Sequence, residues 1–321
     1  MREYYPNFDW LRLILAIQVV GIHTGVSPTV LINPVPAFLA ISGFVVLGSI
    51  ERRTTGHFFK NRALRVLPLL FVSFLAVGFL FGKQEMFHNI KFWIWPFGEP
   101  PINAVVWSLI YEEFFYFILA ILFALSFYKY KFFPILMGTI FITLTITNNF
   151  FGLPSPLFML AGAFMIGNVA YMYRSTIKKL NKWVALGIFV LMVFTVHTIP
   201  YNNIVEPSRA LIDFISFGIM LIFAIAGPEL PKLKIDISYS LYLWHCIIRA
   251  VVLGYIPIGP RMFWVVLLCT LPICYFSWHL IELPAKKLSK GFPSKQEILD
   301  KVTSRRFINS FYEENSKKAK S

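Results

Sequence analysis

Charge is scarce in this sequence. Of its 321 residues only 14% are Asp, Glu, Lys or Arg, where a soluble globular domain carries about a quarter. That scarcity excludes an ordinary soluble domain, and it excludes intrinsic disorder, which requires charge and few apolar residues. There are three cysteines, Cys246, Cys269 and Cys274, with no CxxC pair and no zinc-like spacing. They define neither a disulfide framework nor a redox compartment, and no metal site is expected from them. No collagen-like repeat is present. A cleavable signal peptide is not expected either, because the first apolar run has no small-residue cleavage site and contains Arg12 and His23.

What is there instead is apolar: 57% of the residues are hydrophobic and 17% aromatic. Ten stretches can be read as spans, near 11–27, 35–50, 66–82, 105–127, 132–148, 154–173, 183–199, 208–227, 235–256 and 262–282. The fold class expected is an all-α membrane protein of about ten transmembrane helices. One membrane domain covers residues 1–284, and a basic tail follows over 285–321. The net charge of +14 points to a bilayer rather than to nucleic acid, because its placement follows the spans. Thirteen Lys and Arg fall in the loops after spans two, four, six and eight, and five lie on or near the other side. By the positive-inside rule both termini are cytoplasmic, in a multi-pass protein of the cytoplasmic (inner) membrane. The tail, with ten Lys and Arg, reads as a solvated or membrane-surface segment. The external loop from Lys83 to Asn103 is too broken to span. Its Trp93, Trp95 and Phe97 form either an interfacial aromatic belt or a platform for a sugar ring.

Polar groups inside the spans are the informative residues, since each costs about 2.5–3.5 kcal/mol at a helix centre and normally faces a cavity or partner. Arg12 and His23 are eleven steps apart, hence nearly on one helical face and about 16 Å apart along the axis. Ser108, Glu112 and Tyr116 follow at i, i+4 and i+8, with Glu113 on the neighbouring face. Ser238, Tyr242, His245 and Arg249 form a second stripe, and His279 and Glu282 lie one turn apart. Each has a plainer reading. His245 and His279 can be hydrogen-bonded packing residues, Glu112 a static partner of an arginine, and Ser42-Gly43 a close helix contact.

Taken together, six segments resemble the acyltransferase 3 family of integral membrane O-acyltransferases. Asp9-Trp-Leu-Arg12 with His23 is similar to its Arg-ten-residues-His motif, Phe38-Leu-Ala-Ile-Ser42-Gly43-Phe44 to its second-helix signature, and Arg62-Ala-Leu-Arg65-Val-Leu-Pro68 to its basic motif. Trp107-Ser108-Leu109 with Glu112, Glu113 and Tyr116 is similar to its fourth-helix motif. Ser238 to His245 resembles a late motif, and Ile281-Glu282-Leu283-Pro284 closes the last helix. Two departures are visible: His57-Phe-Phe-Lys60-Asn61 replaces a fully basic run, and no hydrolase-like domain follows the last span.

The resemblance implies an acyl-CoA co-substrate, most often acetyl-CoA, with no tightly bound cofactor, and a hydroxyl acceptor. Arg62 and Arg65, with Arg12 at the same edge, are suited to clamp the donor's phosphates. His23 is suited to take the acceptor's proton, with Glu112 holding the imidazole tautomer, although an acyl-histidine intermediate is equally compatible. Ser42, Ser108, Tyr116, Tyr242, His245 and Glu282 are expected to line the pocket. The aromatic loop favours a carbohydrate acceptor, a lipid-linked or surface polysaccharide unit. A flippase, exporter or other transporter would also carry intramembrane Arg, His and Glu, but it needs no acyl-CoA clamp.

Overall fold

A chain inside hydrocarbon must satisfy its backbone hydrogen bonds internally, and helices do so within one segment. The computed structural model describes residues 4–26, 32–153, 155–198 and 207–290. Among them the regular elements are helices, with no strand: α1 (Pro6–His23), α2 (Pro34–Arg52), α3 (Thr55–Phe81), α4 (Lys83–Ile94), α5 (Trp107–Ala124), α6 (Phe132–Phe150), α7 (Pro156–Met172), α8 (Arg174–Ile177), α9 (Lys182–Thr198), α10 (Pro207–Ala226), α11 (Ser238–Val252), α12 (Pro260–Ser277) and α13 (Leu283–Lys290). Proline opens α1, α2, α7 and α12, a position where its missing N–H costs nothing and its fixed φ suits the helix.

Each expected span coincides with a helix. Among the described residues six segments are long and apolar enough to cross a membrane: Pro34–Arg52, Thr55–Phe81, Ala104–Ala124, Phe132–Phe150, Ser208–Ala226 and Pro260–Leu288. The helices α7 and α9 are apolar but shorter. The remaining two, α1 and α11, are the ones that carry Arg12, His23, His245 and Arg249. Large apolar side chains such as Leu75, Phe79, Leu191, Phe194 and Leu268 point outward and are exposed, while polar groups gather inside, as expected of a surface that faces lipid.

Three boundaries differ from the sequence reading. Helix α3 begins at Thr55, so Arg62 and Arg65 stand inside it, past its first turn, rather than in a loop. Hydropathy passes over charged residues, yet Arg and Lys are good helix formers, and the helix continues beyond its apolar part. The outer loop is half helical: α4 packs Phe92 and Trp93 against α3 and leaves Trp95 and Phe97 exposed, their ring centroids 5.0 Å apart. After α12 a π-helical turn (Trp278–Glu282) leads into α13, so the start of the expected tail is helical. Residues 291–321 lie outside the described residues.

Helices α2 and α7 pack backbone against backbone. A Cβ on Gly43 would sit 2.1 Å from the carbonyl oxygen of Phe164, and one on Gly167 would sit 2.0 Å from that of Ala40. Glycine at both positions lets the two backbones touch, and this contact sets where Ser42 points.

Candidate active site

The ends of α1, α2, α3 and α13 that carry the basic residues enclose a cavity of about 740 Å³. Nine Arg and Lys side chains line it against four carboxylates. Arg12 comes from α1, Arg62 and Arg65 from successive turns of α3, and Lys286 from α13. The π-helical turn brings Trp278 and Glu282 to the same wall. Arg12 is tethered by Asp9 at 3.9 Å. Asp236, in the segment before α11, faces the arginines. Its burial alone would raise its pKa, but Arg65 and Arg12, with hydrogen bonds from Ser238, outweigh that and hold the carboxyl below its ordinary range. Ser238 donates to Asp236 Oδ1 from both its hydroxyl, at 2.6 Å, and its N–H, at 3.3 Å. The first turn of α11 is thereby tied to the arginine layer.

A second, narrower cavity of about 90 Å³ continues inward and shares Arg12, Arg62, Arg65 and Tyr239 with the first. Its walls hold Ser42, Ser108, Glu112, Tyr116 and Tyr242. The Glu112 carboxylate accepts hydrogen bonds from both the Ser42 and the Tyr116 hydroxyls, and the Arg62 guanidinium stands 5.7 Å from the Tyr116 ring centroid. At the far end the hydroxyls of Ser108 and Tyr242 are 2.8 Å apart, and Phe38 meets Tyr242 edge-on with centroids at 5.7 Å. These three side chains line the passage at that end.

The histidines lie past Tyr242, whose ring centroid is 6.3 Å from that of His245. His23 Nδ1 is 2.7 Å from His245 Nε2, and the rings are nearly parallel. Cys246 Sγ packs 3.5 Å from the first nitrogen and 3.4 Å from the second. His23 is partly exposed, while His245 is fully buried. Neither of the two cavities is lined by His23.

The model of a family described as an acyltransferase domain matches residues 5–279. The chain belongs to the acyltransferase 3 family. Membership makes it a membrane acyltransferase. A relative is Nodulation protein 10 of Rhizobium leguminosarum bv. viciae, 25% identical over 351 aligned positions that cover 90% of this chain and 95% of the relative. No solved structure matches.

Within this acyltransferase the residues picked out by motif fall into four layers. Arg12, Arg62, Arg65 and Glu282 border the large cavity; Ser42, Glu112 and Tyr116 follow; then come Ser108 and Tyr242; and His23 with His245 lies outermost. Glu112 is not a hydrogen-bond partner of His23. Its side chain is engaged by Ser42 and Tyr116, because α5 presents it one turn nearer the arginines than Ser108. His279 is exposed and bonded to the carbonyl of its own helix at Tyr275, away from both cavities. The motifs do not point to Asp236 or Cys246, and Tyr239, which lies within the late motif and reads as a packing aromatic, lines both cavities. An Asp two residues before Ser238 was a legible Asx-turn signal for Asp236, whereas nothing in the sequence distinguishes Cys246 from a core cysteine.

Proposed function

We propose that this acyltransferase moves an acyl group, acetyl in the first instance, from cytoplasmic acyl-CoA to a hydroxyl of a carbohydrate, a lipid-linked or surface polysaccharide unit. The observation that carries the reading is the basic cavity. Its volume, its excess of arginine and its shared wall with a narrower inward passage suit a large polyanion with a long neutral arm. The phosphates are held by Arg12, Arg62 and Arg65 in the forked geometry of guanidinium. The pantetheine arm points towards the histidines. A passage of about 90 Å³ is small and neither cavity is lined by His23, so Phe38, Ser108 and Tyr242 must part before the thioester reaches His23.

His23 then acts as general base. It takes the proton of the acceptor hydroxyl as that oxygen attacks the thioester carbonyl, and it returns the proton to the departing CoA sulfur as the C–S bond breaks. The acceptor meets His23 from the outer side, where exposed Trp95 and Phe97 offer a stacking surface for a sugar. The reading carries with it ten crossings of the inner membrane and cytoplasmic termini, which put the thirteen loop cations and the donor on one side.

Membranes given [14C]acetyl-CoA should label a glycan fraction. His23→Ala should reduce that labelling by a factor of about 10² to 10⁴ while photo-crosslinking of an acyl-CoA analogue persists. A correctly inserted His23→Ala protein that acylates at the parent rate would end this mechanism.

A further inference from the structure

His245 is bonded on both of its nitrogens, and one of those partners has a fixed role. Its Nδ1 lies 3.1 Å from the backbone carbonyl oxygen of Leu241, one turn earlier on α11. A carbonyl oxygen can only accept, so Nδ1 carries the hydrogen. The ring is fully buried, no carboxylate among the described residues hydrogen-bonds to it, and Arg249 follows one turn later, so the uncharged ring is the form that this environment tolerates. In a neutral imidazole with Nδ1 protonated, Nε2 is a lone pair. That lone pair is the atom 2.7 Å from His23 Nδ1, and it can only accept. His23 must therefore donate from Nδ1, which leaves its own Nε2 unprotonated.

We propose that His245 is the positioning residue for the general base. The chain Leu241 carbonyl, His245, His23 sets a single direction of hydrogen bonding, fixes the Nδ1–H tautomer of His23 and turns its basic nitrogen towards the acceptor. A neutral imidazole here fills the place that an orienting carboxylate fills in a hydrolase triad. The difference has a chemical use: when His23 takes the acceptor's proton, the imidazolium is oriented without being trapped in an ion pair, and Nε2 can give the proton back to the CoA sulfur. Cys246, against both rings, completes the packing that holds the two planes 13° from parallel.

The same three side chains could instead converge on a soft cation, since their donor atoms all lie within 4.8 Å of one another. The two arrangements exclude each other. A metal on His23 Nδ1 would leave the proton on Nε2 and remove the base.

The proposal rests on His23 being the base, and the experiment keeps the two ideas apart. Full-length parent, His23→Ala, His245→Leu, His245→Met and His245→Gln are assayed in source membranes with [14C]acetyl-CoA and the membranes' own glycolipids, with monodisperse elution in detergent as the folding control. His245→Leu should lower kcat by about 10²- to 10³-fold with the acetyl-CoA KM within about threefold, because only tautomer and orientation are lost. His245→Gln, whose amide oxygen can accept from His23 Nδ1–H, should recover at least about tenfold of that. His245→Met repeats the apolar test if the Leu variant does not insert. Apolar variants within threefold of the parent would overturn the relay while leaving His23 as base, provided His23→Ala is inactive. Equal impairment of Leu, Met and Gln variants would reduce His245 to a packing role. Parent activity removed by a chelator and restored by Zn²⁺ would make His245 a metal ligand and overturn the relay as well. An active His23→Ala variant would bring down the underlying reading instead.

Discussion

Arg65→Ala should raise the KM for acetyl-CoA about tenfold and leave kcat within about twofold. Arg65 stands on the wall of both cavities; on the donor assignment proposed above its guanidinium meets a phosphate before the acyl group has moved, so its contact would be the same in the ground and transition states and would appear in KM alone. A charge-assisted hydrogen bond contributes about 1.5–3 kcal/mol, or roughly 10- to 150-fold. The side chain is open to the cavity rather than sealed in protein, so screening places it at the lower end. The assay is initial-rate acetyl transfer in membranes across a range of acetyl-CoA at two ionic strengths. The parent's KM should rise with salt, and the variant's should rise less, since one phosphate contact has gone. Repeating the series with 3′-dephospho-acetyl-CoA identifies which phosphate Arg65 holds. Unchanged KM in both Arg65→Ala and Arg62→Ala would refute the assignment of the large cavity to the donor.

Glu112→Gln keeps an acceptor for Ser42 and Tyr116 but loses the charge that faces Arg62, and should lower kcat/KM about tenfold. Glu113→Gln, outside the walls of both cavities, should stay within about twofold; the reverse order in the same transfer assay would misplace the inward passage. Asp236 has a depressed pKa in the folded chain, so its stabilisation is complete above the ordinary carboxylate range and is lost as pH falls through that range towards the folded value. Asp236→Asn should accordingly lower stability by about 1–3 kcal/mol at neutral pH, with the gap closing on acidification, read from thermal unfolding in detergent at several pH values. Gly167→Ala would press a methyl against the backbone on either side of Ser42, 2.0 Å from the Ala40 oxygen and 2.8 Å from the Phe44 nitrogen. Separation of α2 from α7 should destabilise the protein by about 1–3 kcal/mol, and an unchanged melting temperature would mean that the contact is looser than described.

Much of this protein is legible in its residues taken in order. Helix positions follow from apolar stretches, because the cost of an unsatisfied backbone in lipid leaves no other local solution. The family follows from six short motifs, and the split between an arginine end and a histidine end follows from the eleven-residue step along α1. The limits of α3 were less legible, since hydropathy stops at charge while the helix does not.

Partnership was decided only in three dimensions. Glu112 is bonded to Ser42 and Tyr116 rather than to His23, because the α2–α7 contact at Gly43 and Gly167 fixes α2 against the turn of α5 that carries the carboxylate. Asp236 enters the site because the segment before α11 folds back over α1 and α3. His23 meets His245 although 222 positions separate them, an encounter set by the packing of α1 against α11. Local sequence dictates which residue sits on which helix face; which faces then meet depends on how the helices pack, and that depends on side chains from the whole bundle at once.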